Sequence, residues 1–367
     1  MKNKNFQKSF ISFASSLMAI ISGLLFGLII LLLSNSKEAM PAFGIILQGG
    51  FRNGISSISQ TVNFAVPIIM TGLAVGFAFR TGLFNIGAAG QFTVGSFVAV
   101  LVGVRCTFLP PVIHFFAALI LAGIAGGIWG FIPGILKAFA NVNEVISSIM
   151  TNYIGIFFVN MMIPKLKLYD QLKNQTLPIA KSARTPRLFF DNIFPPDTNL
   201  DMGLIIVIVA VIAVYIIIEK TTFGFELKAC GMNKDASRYA GIDDKKNIIL
   251  SMVIAGTLAG LGGALMYLGH TGKYMQVLDV IAAEGFSGIS VALLGVSNPI
   301  GILFAGIFIA HITIGGYNIQ ILNFTPEIID MIVAAIIYCG AFSPVFKRII
   351  DMAFFGKKEN AKKEDKG

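Results

Sequence analysis

Charge is what this sequence most lacks. Only 13% of its 367 residues are Asp, Glu, Lys or Arg, against 55% hydrophobic, and the mean hydropathy is +0.79. That balance excludes an ordinary soluble domain. Acidic residues are nearly missing from the middle of the apolar stretches. Glu327 and Asp330, at the start of one of them, are the sole candidates for intramembrane carboxylates. A proton- or sodium-driven carrier needs ionisable groups at membrane depth, so the scarcity argues against one. Cysteine is scarce too: Cys106, Cys230 and Cys339 are scattered and odd in number, which supports neither a disulfide framework nor a metal site. His114, His270 and His311 are isolated from one another, which disfavours a metal or acid–base role. Neither Gly-x-Ser-x-Gly nor His-Glu-x-x-His occurs, so nothing points to an enzyme embedded in the membrane. A Walker A loop is also absent: Gly272-Lys273-Tyr274 and Gly356-Lys357-Lys358 lack the required Ser or Thr.

Long apolar sequence is what the chain has instead. Residues 10–33 carry no charge, and about 20 apolar residues suffice for a helix to cross a bilayer. Further runs at 58–79, 83–104, 109–133, 144–163, 202–219, 248–269, 285–297, 300–317 and 327–346 follow. A barrel would show alternation over about ten residues, and these runs are helix-length. The expectation is an all-α polytopic membrane protein with about ten transmembrane helices. The 285–297 run is short and reads as a full or re-entrant span. Two glycine-interrupted segments, 80–91 and 284–290, fall in the two halves of the chain. Such pairs flag interrupted helices and an internal repeat with a pathway between the halves. The 39 glycines allow close helix approach.

The first span reads as retained rather than as a cleaved signal, because its uncharged stretch is long. With an even number of spans and the N-terminus inside, eighteen of the 28 Lys and Arg lie on the cytoplasmic side, as the positive-inside rule asks. Residues 1–9 are then a cytoplasmic tail, 10–346 the transmembrane domain and 347–367 a second, basic cytoplasmic tail near anionic lipid. Within the domain, 164–201 is an extracytoplasmic loop restrained by prolines, and 220–247 a cytoplasmic one.

The 220–247 loop is the most informative stretch. Asn233 suits an N-cap, Asp235 the first turn, Arg238 the last, and Gly241 the C′ position. These define a helix of about seven residues, some 10 Å long. Phe225, Ala229, Met232, Ala236 and Tyr239/Ala240 recur every three or four residues and make an apolar stripe. A lipid-surface helix would have a basic polar face, whereas basic and acidic residues nearly cancel here. A docking protein is the preferred partner.

Thr222-Phe-Gly-Phe-Glu-Leu-Lys-Ala-Cys-Gly-Met-Asn233, followed by Ala236 and Ala240-Gly-Ile242, resembles the cytoplasmic loop of ABC importer permeases. The branch is the one that handles ribose-type sugars, branched-chain amino acids and nucleosides. Arg80-Thr-Gly-Leu-Phe-Asn-Ile-Gly-Ala-Ala-Gly-Gln91 is similar to that branch's signature after the second span, and 256–263 and 285–295 continue the match. Asn143-Glu-Val-Ile-Ser-Ser-Ile-Met-Thr-Asn-Tyr153 looks like the nucleoside-type members in particular. Cys230 stands where relatives more often have valine. The resemblance covers roughly 60–345. It implies a permease subunit with no cofactor of its own, ATP and magnesium being held by a separate ABC ATPase. It further implies a second homologous permease subunit and an extracytoplasmic solute-binding lipoprotein, in the plasma membrane, with no nucleic-acid partner. ATPase coupling is carried onto Gly224, Glu226, Ala229, Asn233, Ala236, Gly241 and Ile242. A ribose-like sugar importer is the alternative substrate class, and a secondary transporter the alternative mechanism.

Polar groups at membrane depth are the candidates for the solute pathway, since they usually face a cavity or a partner. At that depth these are Asn85, Gln91 and Asn152, with Phe84 and Phe92 nearby; Glu144, near the cytoplasmic edge, is a further candidate, and Asn63, Tyr153 and Phe286 complete the set. Amide donors beside flat aromatic faces suit a nucleoside. For each amide alone, interhelical hydrogen bonding is the competing role, and Glu144 is equally placed to cap its helix.

Overall fold

The computed structural model describes residues 2–187, 190, 194–195, 198–270, 272–342, 345–346, 348–350 and 352. Most of the expected 347–367 tail, and Pro196, lie outside them. The described chain is overwhelmingly α-helical. Among the described residues, eight helices are long and apolar enough to cross a membrane, and two shorter apolar ones accompany them.

The described residues divide into two units: those before Asn53 together with those after Ala310, and those of Asn53–Ala310. In the first unit, α1 (Lys2–Ser34) is followed by α2 (Ala39–Gln48), and α13 (Pro326–Ala341) comes last. Residues 2–9 of the expected tail are thus part of α1, with no proline or glycine before Gly23 to interrupt it. Helix α2 was not anticipated, being too short for a span. Glycines seat α1 on α13: a methyl at Gly23 would lie 2.6 Å from the Ile336 Cα. His311 accepts a hydrogen bond from Gly50 N at Nδ1 (3.0 Å) and so donates from Nε2 to the Leu47 carbonyl (3.0 Å). This histidine is a cap for the turn after α2.

The second unit holds α3 (Ile55–Arg80), α4 (Ala88–Arg105), α5 (Pro111–Ala140), α6 (Glu144–Lys165) and α7 (Gly203–Lys220). Two short helices, α8 (Thr222–Met232) and α9 (Lys234–Tyr239), lead into α10 (Asp244–Tyr267). Then come α11 (Ala283–Leu294) and α12 (Pro299–Asn318), whose C-terminal end passes into the other unit. At 12 residues, α11 extends only about 18 Å and cannot cross a bilayer core of about 30 Å.

Helix α10 is the backbone of this unit. A methyl on Gly256 would lie 2.3 Å from the Gly126 carbonyl oxygen of α5, and one on Gly95 of α4 would lie 2.4 Å from the Gly260 Cα. The Gly256-Thr-Leu-Ala-Gly-Leu-Gly-Gly263 run therefore packs backbone on backbone, the arrangement small residues permit between membrane helices. The 164–201 loop carries a two-stranded hairpin, β1 (Tyr169–Asp170) against β2 (Gln175–Thr176). Thr176 N donates to the Met275 carbonyl and Thr185 N to that of Leu268, so the loop is tied to the segment after α10.

Candidate functional site

Two places in the Asn53–Ala310 unit could serve function, and most of the sequence candidates lie at or beside the first. The first is the 220–247 loop. Thr221 caps α8 by accepting from Gly224 N (3.1 Å), and Asn233 Oδ1 caps α9 by accepting from Ala236 N (2.9 Å). Gly241 follows α9 with φ +82°, a left-handed conformation that favours glycine. The expected short helix is present, and α8 precedes it as a second one. Phe225, Met232 and Tyr239 are 69%, 87% and 95% exposed, and Ala236 and Ala240 are exposed beside them. The apolar stripe therefore points away from the chain's own core.

What holds that stripe in place was not read from the sequence. The Asp244 carboxylate is buried and receives Lys234 Nζ (3.3 Å) and Arg238 Nη2 (3.2 Å). Lys234 and Arg238 are one turn apart on α9, so both project to the same side. Their i, i+4 spacing ahead of Asp243-Asp244 was the available signal. Below α9, Ser237 Oγ lies 3.5 Å from Cys230 Sγ, and Asn247 Nδ2 donates to Glu226 Oε2 (3.1 Å). Gly224 is buried: a methyl there would meet the Ile217 carbonyl oxygen at 2.2 Å. Of the candidates, Asn233, Ala236 and Gly241 are exposed, Ala229 and Ile242 half-buried, and Gly224 and Glu226 build the fold beneath.

The loop touches the 80–91 signature directly. A methyl on Gly231 would fall 2.6 Å from the Arg80 carbonyl oxygen and 2.9 Å from Gly82 N. Thr81 Oγ1 donates to Ser251 Oγ of α10 (2.7 Å), and Arg80 Nε to the Ser297 carbonyl (3.0 Å). The turn after α3 is thus joined to α8, α10 and the α11–α12 connection at once.

The amide candidates form a closed lock within that signature. Asn85 Nδ2 donates to Gln91 Oε1 (3.0 Å) while Gln91 Nε2 donates back to Asn85 Oδ1 (3.3 Å), and both side chains are fully buried. Asn152 Oδ1 accepts from Gly90 N (2.8 Å), and its Nδ2 donates to the Ile86 carbonyl (3.0 Å). Phe84 packs on Phe79. Glu144 stands apart, paired with Lys137 (2.8 Å) beside the Asn143 cap of α6. Asn63 donates to the Asn199 carbonyl, and Tyr153 and Phe286 are exposed. His114 is a satisfied core residue between the Val102 carbonyl and Ser182.

The second place is a cavity of about 260 Å³ bounded by α4, α6, the end of α10 and residues 274–284. Phe92, Ile156, Val159 and Met275 are among its apolar lining residues, and Tyr267, Tyr274, Gln276 and Glu284 among its polar ones. Of the six pathway candidates only Phe92 reaches it. Glu284 sits in the first turn of α11, and its own carbonyl is held by Thr71 Oγ1 (2.9 Å). Just before α11, burial lowers the pKa of Lys273, an effect that the attraction of Glu284 only partly offsets. Glu284 is the one acidic residue of the glycine-interrupted 284–290 segment, the signal in the sequence that sets it apart. Among the described residues no group of three or more His, Cys, Asp or Glu could hold a metal.

Residues 57–341 match the model of a family described as branched-chain amino acid transport system, permease component. The chain belongs to this permease family. It is 42% identical to the guanosine ABC transporter permease protein NupP of Bacillus subtilis, over 89% of this chain and 92% of that protein. It is 36% identical to the nucleoside ABC transporter permease protein NupB of Lactococcus lactis, over 95% and 96% respectively. The glucose ABC transporter permease protein TsgB13 of Haloferax volcanii is 27% identical over 93% and 90%. No solved structure matches the permease. The family match takes in both the 220–247 loop and the cavity, and begins after α2. The permease is accordingly a multi-pass membrane protein.

Proposed function

We propose that this chain is the transmembrane subunit of an ATP-driven importer of nucleosides. The observation that carries the reading is α9: a helix too short to persist alone, capped at both ends, clamped by Asp244, and presenting an uncovered apolar stripe. Such a surface suits a cleft in a cytoplasmic ATPase that binds ATP and magnesium, this chain having no Walker A loop. Residues 220–247, and both termini, are then cytoplasmic, and 164–201 faces a solute-binding lipoprotein outside. Bacillus subtilis and Lactococcus lactis each have a second, more distant relative, NupQ and NupC, which supports pairing of two unlike permease subunits. Nucleosides are favoured because the two relatives at 36% and 42% identity carry guanosine or nucleoside in their names. The glucose permease relative supports a sugar as the second reading.

The test is Ala236→Arg in the complete transporter. Uptake and co-purification of the ATPase are expected to be lost while the chain still reaches the membrane. Normal uptake would overturn the docking role. Labelled nucleosides and pentoses offered to the wild type separate the two substrate readings.

A further inference from the structure

We propose that the cavity between α4, α6 and α10 is the solute-recognition site, with Glu284 accepting the vicinal hydroxyls of a nucleoside's ribose. The inference rests on the nucleoside-importer reading and adds the residue that selects the sugar. At about 260 Å³ the cavity is near the lower bound of small-ligand sites, which suits one small solute. Its lining is of two chemical kinds. Phe92, Ile156, Val159, Met266 and Met275 offer flat and polarisable apolar surface, the environment a base ring stacks against.

Glu284 is the one charged side chain lining the cavity. Among the described residues no donor reaches its carboxylate; Lys273 attracts it without closing an ion pair. An ionised carboxylate has acceptors only and takes two donors side by side, as it does from ribose hydroxyls in dinucleotide sites. Its backbone is rigidly placed. Thr71 holds its carbonyl, and a methyl at Gly285 would lie 2.4 Å from the Ala89 Cα, so the first turn of α11 is packed without slack. The single negative charge also repels a phosphate, so nucleotides are rejected. A free pentose would engage Glu284 but leave the apolar lining uncovered.

The experiment uses the complete transporter in its native cell, the native copy of this chain being replaced by wild type, Glu284→Gln or Glu284→Asp. Uptake of a labelled purine ribonucleoside, its 2′-deoxy analogue, the 5′-monophosphate and ribose is measured, with the amount of chain in the membrane. The protein that delivers the solute is the same in every strain, so a change in the ribo-to-deoxy ratio between wild type and variant isolates the sugar contact of this chain. Losing a charge-assisted hydrogen bond should lower that ratio about fivefold or more in Glu284→Gln. Glu284→Asp, which withdraws the carboxylate by one methylene, should lower it less, and it decides the matter if the Gln variant does not reach the membrane. An unchanged ratio in a variant at normal membrane level overturns the site, while wild-type nucleoside uptake keeps the transporter reading. Wild-type uptake of ribose without nucleoside overturns that reading instead.

Discussion

Neutralising Asp244 tests whether the docking helix depends on its clamp. At 3.2–3.3 Å, two unit charges at an effective dielectric near 20 attract by about 5 kcal/mol. Lys234 and Arg238 are 41% and 60% exposed, however, and solvent reduces each pair to roughly 1 kcal/mol, the upper end for surface pairs. Asp244→Asn keeps the volume and an acceptor oxygen but removes both charge interactions, so the docked α9 loses about 2 kcal/mol. Six residues have no helical stability of their own. The docked population then falls by up to about 30-fold relative to the undocked one, and a partner that needs the docked form binds correspondingly less. ATPase co-purification and nucleoside uptake should both drop, with membrane level unchanged. Lys234→Ala and Arg238→Ala should each give part of the effect in the wild type and add nothing in the Asp244→Asn background. Wild-type uptake by Asp244→Asn, or full additivity with Arg238→Ala, would refute the clamp.

Gly231→Ala places a methyl 2.6 Å from the Arg80 carbonyl oxygen, and backbone on both sides must separate. ATP hydrolysis by the assembled complex is expected to continue while uptake falls at least tenfold, as measured in reconstituted vesicles. Asn152→Leu strands the Gly90 N–H and Ile86 carbonyl at about 1–3 kcal/mol each, so the amount of folded chain in the membrane should fall together with uptake. Full membrane level with impaired uptake alone would show that Asn152 belongs to the pathway.

Much of the architecture was legible because bilayer thickness imposes a length on apolar runs. The Asn233 cap and the Gly241 stop were legible for a local reason: each acts on backbone within a few residues of itself. Asp244 was not, because its burial depends on α9 folding back over the start of α10. The amides show the limit from the other side. Residue type marked Asn85, Gln91 and Asn152 as polar groups needing partners, but only packing reveals that they satisfy one another and neighbouring backbone. Glu284 lies within a glycine-rich segment whose pattern speaks for helix interruption. Its place on the cavity follows from α11 packing on α3, a contact between residues more than 200 positions apart.

Helix α10 begins at the Asp244 clamp and ends at Tyr267 on the cavity wall, 24 residues and about 36 Å apart. Between those ends Gly256 and Gly260 meet the backbone of α5 at Gly126, while the Thr257 and Leu261 side chains fill the notches left by Gly127 and Gly123. The two helices are keyed together. A push on the loop would therefore carry α5 along with α10, delivering displacement to the far chamber through a coupled pair.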